Sequence, residues 1–138
     1  MNSISQIFAV GDIHGCNSLL KKIHKKILSK SEKVMGNKIL IYLGDYVDRG
    51  SKVKETIDTI INFKPMNFKC VFLRGNHDQM LLNFVNNKRN SLEMWLYNGA
   101  VATLKSYCGS TIANMLNNSS SREQSIRETL VKSYLLAI

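Results

Sequence analysis

Residues 38–50 read Lys-Ile-Leu-Ile-Tyr-Leu-Gly-Asp-Tyr-Val-Asp-Arg-Gly. The first half, Lys38–Leu43, is a continuous apolar run and predicts a buried strand. It stops at Gly44-Asp45, and Gly44–Gly50 is a turn-forming heptad holding two carboxylates and a guanidinium. The same junction recurs on either side. Upstream, Gln6–Val10 runs into Gly11-Asp12-Ile13-His14-Gly15; downstream, Lys69–Leu73 runs into Arg74-Gly75-Asn76-His77-Asp78.

The segments between these strands have helical periodicity. Asn17–Lys30 places Leu19, Leu20, Ile23, Ile27 and Leu28 on one stripe, and Lys52–Phe63 does the same with Val53, Ile57, Ile60 and Ile61, before Pro65 breaks the chain. Strand, helix, strand, helix, strand predicts an α/β fold: a parallel βαβαβ core with right-handed crossovers and a sheet covered on both faces. Such sheets bind ligands beyond the carboxyl ends of their strands, where all three motifs fall. C-terminal helices follow, at Met80–Val85 and Leu92–Leu96, with Trp95 expected in the core. Asn114–Ser121 reads as a polar loop, and Ser120 with Glu123 as a capping box opening a last helix over Arg122–Ala137.

Bulk properties narrow the class. With 138 residues the chain suits one domain, and 44% apolar residues suffice for a core, so a disordered chain is excluded. The net charge of +9 favours phosphate-bearing partners. The cluster Lys21, Lys22, Lys25 and Lys26 has the spacing of a solvated helix face, so a nucleic-acid partner is not expected. His24 lies among these lysines and is expected at the surface. Cys16, Cys70 and Cys108 form no C-x-x-C pair and suit a reducing compartment. With no signal-peptide pattern and no membrane-spanning run, the expected location is the cytoplasm.

Each motif alone has two readings. Asp12 and His14, two residues apart beside glycines, can chelate a divalent cation or sit in an ordinary loop. Asp45 can bridge two metals, Arg49 can fork onto phosphate oxygens and Asp48 can orient a histidine; a surface turn with an Asp–Arg ion pair is the plain alternative. Asn76 can ligate a metal through its carbonyl oxygen while His77 protonates a leaving oxygen, or Asn76 can be a helix N-cap beside an incidental histidine. Their fixed order at successive strand ends favours the chemical reading.

The stretches GDIHG (11–15), GDYVDRG (44–50) and RGNHD (74–78) resemble the N-terminal signatures of the phosphoprotein phosphatase branch of the calcineurin-like metallophosphoesterases. That branch includes serine/threonine protein phosphatases and symmetric diadenosine tetraphosphatases. Trp95 to Thr103 and Tyr107 also resemble the W-x-x-N-G-G-x-x-T stretch of bacterial members, with Ala100 in place of a glycine. Asp78 stands where many members have glutamate. The resemblance covers about residues 6 to 108.

The resemblance implies a hydrolase that cleaves phosphomonoesters with a metal-activated hydroxide. It assigns Asp12, His14, Asp45 and Asn76 to two divalent ions, with manganese expected first and iron or zinc next. Arg49 and Arg74 are implied to bind the phosphoryl group, and His77 to act as general acid oriented by Asp48. The substrate would be a phosphoprotein or a nucleotide. Family members draw further metal histidines from their C-terminal half, whereas His77 is the last histidine here. Residues 1–138 are therefore expected to be one truncated domain with an incomplete second metal site, a catalytically impaired fragment being the alternative to an active enzyme. Self-association, or a missing C-terminal half, could complete it.

Overall fold

The structure is a computed structural model that describes residues 4–117 and 122–135. Strand β1 (Ile4–Val10) leads through helix α1 (Asn17–Ser31) to β2 (Asn37–Tyr42), then through α2 (Val53–Asn62) to β3 (Phe68–Phe72). The three strands form one parallel sheet in the order β1-β2-β3. Registers such as Val10 to Tyr42 and Tyr42 to Phe72 bring the three strand ends level. The α/β expectation holds, and all three motif loops leave the sheet at the same edge.

The expected covering of both faces does not hold. Leu20 and Ile27 of α1 and Ile60 of α2 pack with Val10, Leu40 and Tyr42 on one face. On the other, Ile7 is 60% exposed, Ala9 is exposed, and its register partner Ile41 is half-buried. The reason is topological: with strand order 1-2-3 both right-handed crossovers run in one direction, so both helices land on the same side. Covering the second face requires a crossover in the reverse direction. Leu19, Ile23 and Leu28 of α1 and Ile61 of α2 are likewise exposed, so the stripes read from the sequence are wider than the faces that pack.

His24 corrects a second expectation, since it is 4% exposed rather than at the surface. It lies four residues after Leu20 and three before Ile27, in phase with the buried stripe of α1, while Lys21, Lys22, Lys25 and Lys26 point to solvent. Its ring stacks on Phe63 at 3.7 Å between centroids, and Nε2 is hydrogen-bonded to the Tyr42 hydroxyl at 2.8 Å. Burial pulls the His24 pKa down to about 4 and pushes the Tyr42 hydroxyl well above its usual range.

Beyond β3 the chain is helical: α3 (Asn76–Val85), α4 (Ser91–Tyr97), α5 (Val101–Cys108), a 3₁₀ turn (Gly109–Thr111), α6 (Ile112–Asn117) and α7 (Arg122–Leu135). They build a second core in which Phe84, Leu92, Trp95, Leu104, Ile126 and Leu130 are fully buried beside Val47 and Val53. The loop expected over Asn114–Ser121 is helical as far as Asn117, because buried Ile112 and half-buried Leu116 tie that turn to the core. The rest of that loop, and Ser120 of the expected capping box, lie outside the described residues. The last helix follows the expected span to Leu135. Among the described residues no helix is long and apolar enough to cross a membrane.

Candidate metal and phosphate site

The first two motif loops are joined through their backbones. The Asp45 carbonyl accepts the N–H groups of Ile13 (3.0 Å) and His14 (2.9 Å), and the Tyr46 carbonyl accepts that of Gly15 (3.0 Å). Gly50 makes this approach possible, and Gly44 the approach of the third loop to the second. A Cβ on Gly50 would overlap the His14 carbonyl, and one on Gly44, where φ is +108°, would overlap the Gly75 backbone.

Asp78 ties the third loop to the second. Its Oδ2 accepts the N–H groups of Asp45 (2.7 Å) and Gly75 (2.9 Å), and its Oδ1 accepts that of Tyr46 (3.0 Å). The shorter Asp therefore does the bridging at the position where glutamate is common. Gly75 is the N-cap of α3 and Asn76 its first residue, so the reading of Asn76 as N-cap is not what the fold adopts. Asn76 stays exposed, next to His77, whose backbone N–H donates to Asp45 Oδ1 at 2.9 Å.

The result is a cluster of Asp12, His14 and Asp45, whose ligand-type atoms all lie within 4.8 Å of one another. His14 Nδ1 is 2.7 Å from the Val47 carbonyl, an acceptor only, so Nδ1 carries the hydrogen and Nε2 carries a lone pair. That Nε2 is buried, has no hydrogen-bond partner and sits 4.0 Å from Asp12 Oδ2. A buried nitrogen with a free lone pair, facing two carboxylates, fits a divalent cation.

Beside it lies a second constellation, with the His14 and His77 rings 4.7 Å apart at their centroids, edge to face. Asp48 is fully buried and His77 is 1% exposed. His77 Nδ1 is 2.8 Å from Asp48 Oδ2, and Arg49 Nη2 is 3.0 Å from His77 Nε2. A guanidinium can only donate, so Nε2 accepts, and Nδ1 donates to Asp48. Asp48 thus belongs to His77, and the alternative of an Asp48–Arg49 ion pair is not realised. Arg49 is exposed, and its backbone is held by the Gly99 carbonyl at 3.3 Å.

Arg74 stands apart from this cluster, exposed, with its guanidinium donating to Gln79 Oε1 at 2.9 Å. Ala100, in place of the family's glycine, is fully buried with φ −55°, a conformation any residue adopts. Sequence reasoning missed two donors to Asp48, Trp95 and Thr103. Trp95 was expected in the core, and nothing marked its indole N–H as part of the site. The one available signal was the spacing of Trp95 and Thr103 within the stretch resembling bacterial phosphatases.

His14, Asp45, Asp48 and Arg49 all have positive φ, at +43°, +53°, +70° and +64°. The other non-glycine positions of this kind among the described residues are Asn67, Asn87 and Asn90, and asparagine enters this region readily. Unfavourable backbone is therefore concentrated where the functional side chains converge, at roughly 1–3 kcal/mol per residue.

Part of the chain is similar to known phosphoesterases. The chain is 34% identical over 79 residues to a bis(5'-nucleosyl)-tetraphosphatase (asymmetrical) of Anoxybacillus flavithermus, covering 54% of this chain and 32% of that protein. It is 31% identical over 93 residues to serine/threonine-protein phosphatase 1 of Salmonella typhimurium, covering 67% and 38%. It is 36% identical over 99 residues to serine/threonine-protein phosphatase PP1-delta of Caenorhabditis elegans, covering 64% and 30%. The chain thus spans about a third of the length of these relatives. No solved structure matches significantly. The profile of the calcineurin-like phosphoesterases matches residues 5–131, nearly the whole chain, and the chain belongs to that family.

Proposed function

We propose that the chain is a metal-dependent phosphomonoesterase of the serine/threonine phosphatase type. The observation that carries this reading is the chain of contacts Asp48–His77–Arg49 set beside the Asp12–His14–Asp45 cluster. Asp12, His14 and Asp45 would hold one divalent ion, and Asp45 with Asn76 a second. When bound, such ions neutralise phosphate charge and ionise water near neutral pH. Mixed oxygen and nitrogen ligands suit manganese, iron or zinc, and manganese is our first choice. The free cysteines Cys16, Cys70 and Cys108 suit a cytoplasmic setting.

The protein's own groups have separable tasks. Arg49 presents a planar fork to the phosphoryl oxygens. In moving to a phosphoryl group it would leave His77 Nε2, the atom that must carry a proton to the departing oxygen. Asp48, buried against Nδ1, stabilises the imidazolium in that protonated state. Arg74 would have to leave Gln79, on which its exposed side chain rests, to assist. Among the described residues a second ion would find Asp45 and Asn76 and would be held weakly, so turnover by residues 1–138 on their own is expected to be slow.

A second reading, hydrolysis of a dinucleoside tetraphosphate, is supported by the likeness to the Anoxybacillus enzyme. Both are tested by manganese-dependent release of phosphate from an aryl phosphate, a phosphoserine peptide and diadenosine tetraphosphate. Slow hydrolysis of the aryl phosphate that disappears in Asp45→Ala and His77→Ala supports the reading. Hydrolysis indifferent to both substitutions contradicts it.

A further inference from the structure

Asp48 is more closely held than orienting one histidine requires. Its carboxylate is fully buried and accepts from three side chains: His77 Nδ1 at 2.8 Å, Trp95 Nε1 at 2.9 and 3.0 Å to its two oxygens, and Thr103 Oγ1 at 2.6 Å. Thr103 Oγ1 also accepts the Asp48 backbone N–H at 2.9 Å. One hydroxyl therefore receives from the backbone of Asp48 and donates to its carboxylate. That closes a ring which fixes both the left-handed backbone of Asp48, at φ +70°, and the rotation of its carboxyl group.

Trp95 and Thr103 reach Asp48 from α4 and α5, outside the three motif loops. Both are fully buried, so no water competes for the carboxylate. The terminal torsion of an aspartate is broad and roughly two-fold, and its partners must choose the rotation. Here Thr103 engages Oδ1, the indole N–H lies across both oxygens, and Oδ2 is left facing His77 Nδ1.

We infer that Trp95 and Thr103 are positioning residues for His77. By fixing the Asp48 carboxylate they hold the imidazole in the Nδ1–H form, with Nε2 turned to Arg49 and the phosphoryl position. The inference rests on the reading of His77 as proton donor to the leaving group. Trp95 accordingly fills the core and also serves the site through its N–H.

The test is the tautomer of His77, read at one neutral pH by two-dimensional ¹H–¹⁵N NMR of the metal-free full chain, which needs no turnover. Among neutral rings, wild type is expected almost entirely as the Nδ1–H tautomer. Thr103→Val removes the hydroxyl at nearly constant volume, and Trp95→Phe removes the indole N–H while keeping an aromatic ring in the core. They are expected to raise the Nε2–H population about tenfold, while Thr103→Ser, which keeps the hydroxyl, restores the wild-type ratio. An unchanged tautomer in folded Trp95→Phe and Thr103→Val overturns the inference. Wild type supplies a measurement that does not depend on the variants folding. Trp95 is the only tryptophan, so its indole proton is unambiguous, and it should exchange slowly and resonate downfield. An indole proton with the shift and exchange of a water-bonded tryptophan also overturns it. Mixed tautomers with aryl phosphate hydrolysis unaffected would refute the role of His77 and leave the positioning intact, so the two failures are distinguishable.

Discussion

The Nδ1 atom of His77 lies 2.8 Å from Oδ2 of Asp48, and the two side chains are 2% and 0% exposed. A hydrogen bond to a carboxylate so deeply buried is costly to break from one side. Asp48→Asn keeps the shape but loses the charge and places an amide N–H₂ against groups that are all donors. Stability to urea should fall by about 1–3 kcal/mol. Manganese-dependent hydrolysis of an aryl phosphate should fall about 10²–10⁴-fold, the usual worth of a general acid.

His24 makes stability depend on pH. Its folded pKa, about 4, lies below the unfolded value of 6.5 because burial disfavours the charged ring. The unfolded chain therefore takes up a proton first as pH falls. The contribution of His24 is fully present above pH 6.5 and is lost between 6.5 and about 4. The loss should approach ~2–3 kcal/mol at the lower end. Urea midpoints measured across that window should converge for wild type and His24→Gln, which cannot titrate. A constant difference between them would contradict this account.

The contact of the first two loops can be tested at a single atom. Gly50→Ala places a methyl group against the His14 carbonyl. Backbone cannot yield there without separating Asp12 and His14 from Asp45, so stability should drop by roughly 2 kcal/mol or more. Manganese affinity, measured by calorimetry, should fall with it. Cys16→Ala, at an exposed neighbouring position, should change neither.

Metal binding should be asymmetric. Asp12, His14 and Asp45 offer three ligand groups within 4.8 Å, while the second position proposed above would have Asp45 and Asn76. Manganese titration of the monomer should show one ion bound measurably and a second far more weakly. His14→Ala should cost the first site at least about 10–100-fold in affinity. Two equally tight ions would contradict the assignment.

Much of this molecule was legible in its sequence because strand-to-glycine junctions carry both the topology and the ligands. The strands, the crossovers and the meeting of Asp12, His14 and Asp45 follow from runs such as Lys38–Leu43 ending at Gly44-Asp45. His24 looks like a surface residue because four lysines flank it, whereas its phase with Leu20 and Ile27 buries it. The open face of β1 and β2 was not foreseen, since apolar Ile7 and Ile41 look the same in sequence whether a layer covers them or not. The hold of Trp95 and Thr103 on Asp48 spans 47 and 55 residues, and local pattern carries no record of contacts at such separation.

The proposed reaction requires a phosphoryl group to be held between the metal cluster and Arg49. Paramagnetic broadening of the ³¹P resonance of inorganic phosphate by protein-bound manganese reports that arrangement directly and requires no turnover. Broadening should appear with wild type in excess of that from free manganese. It should be lost in Asp45→Ala, where the ion is not held, and strongly reduced in Arg49→Ala, where the ion remains. Broadening no greater than with free manganese, or equal in wild type and Arg49→Ala, would contradict the account.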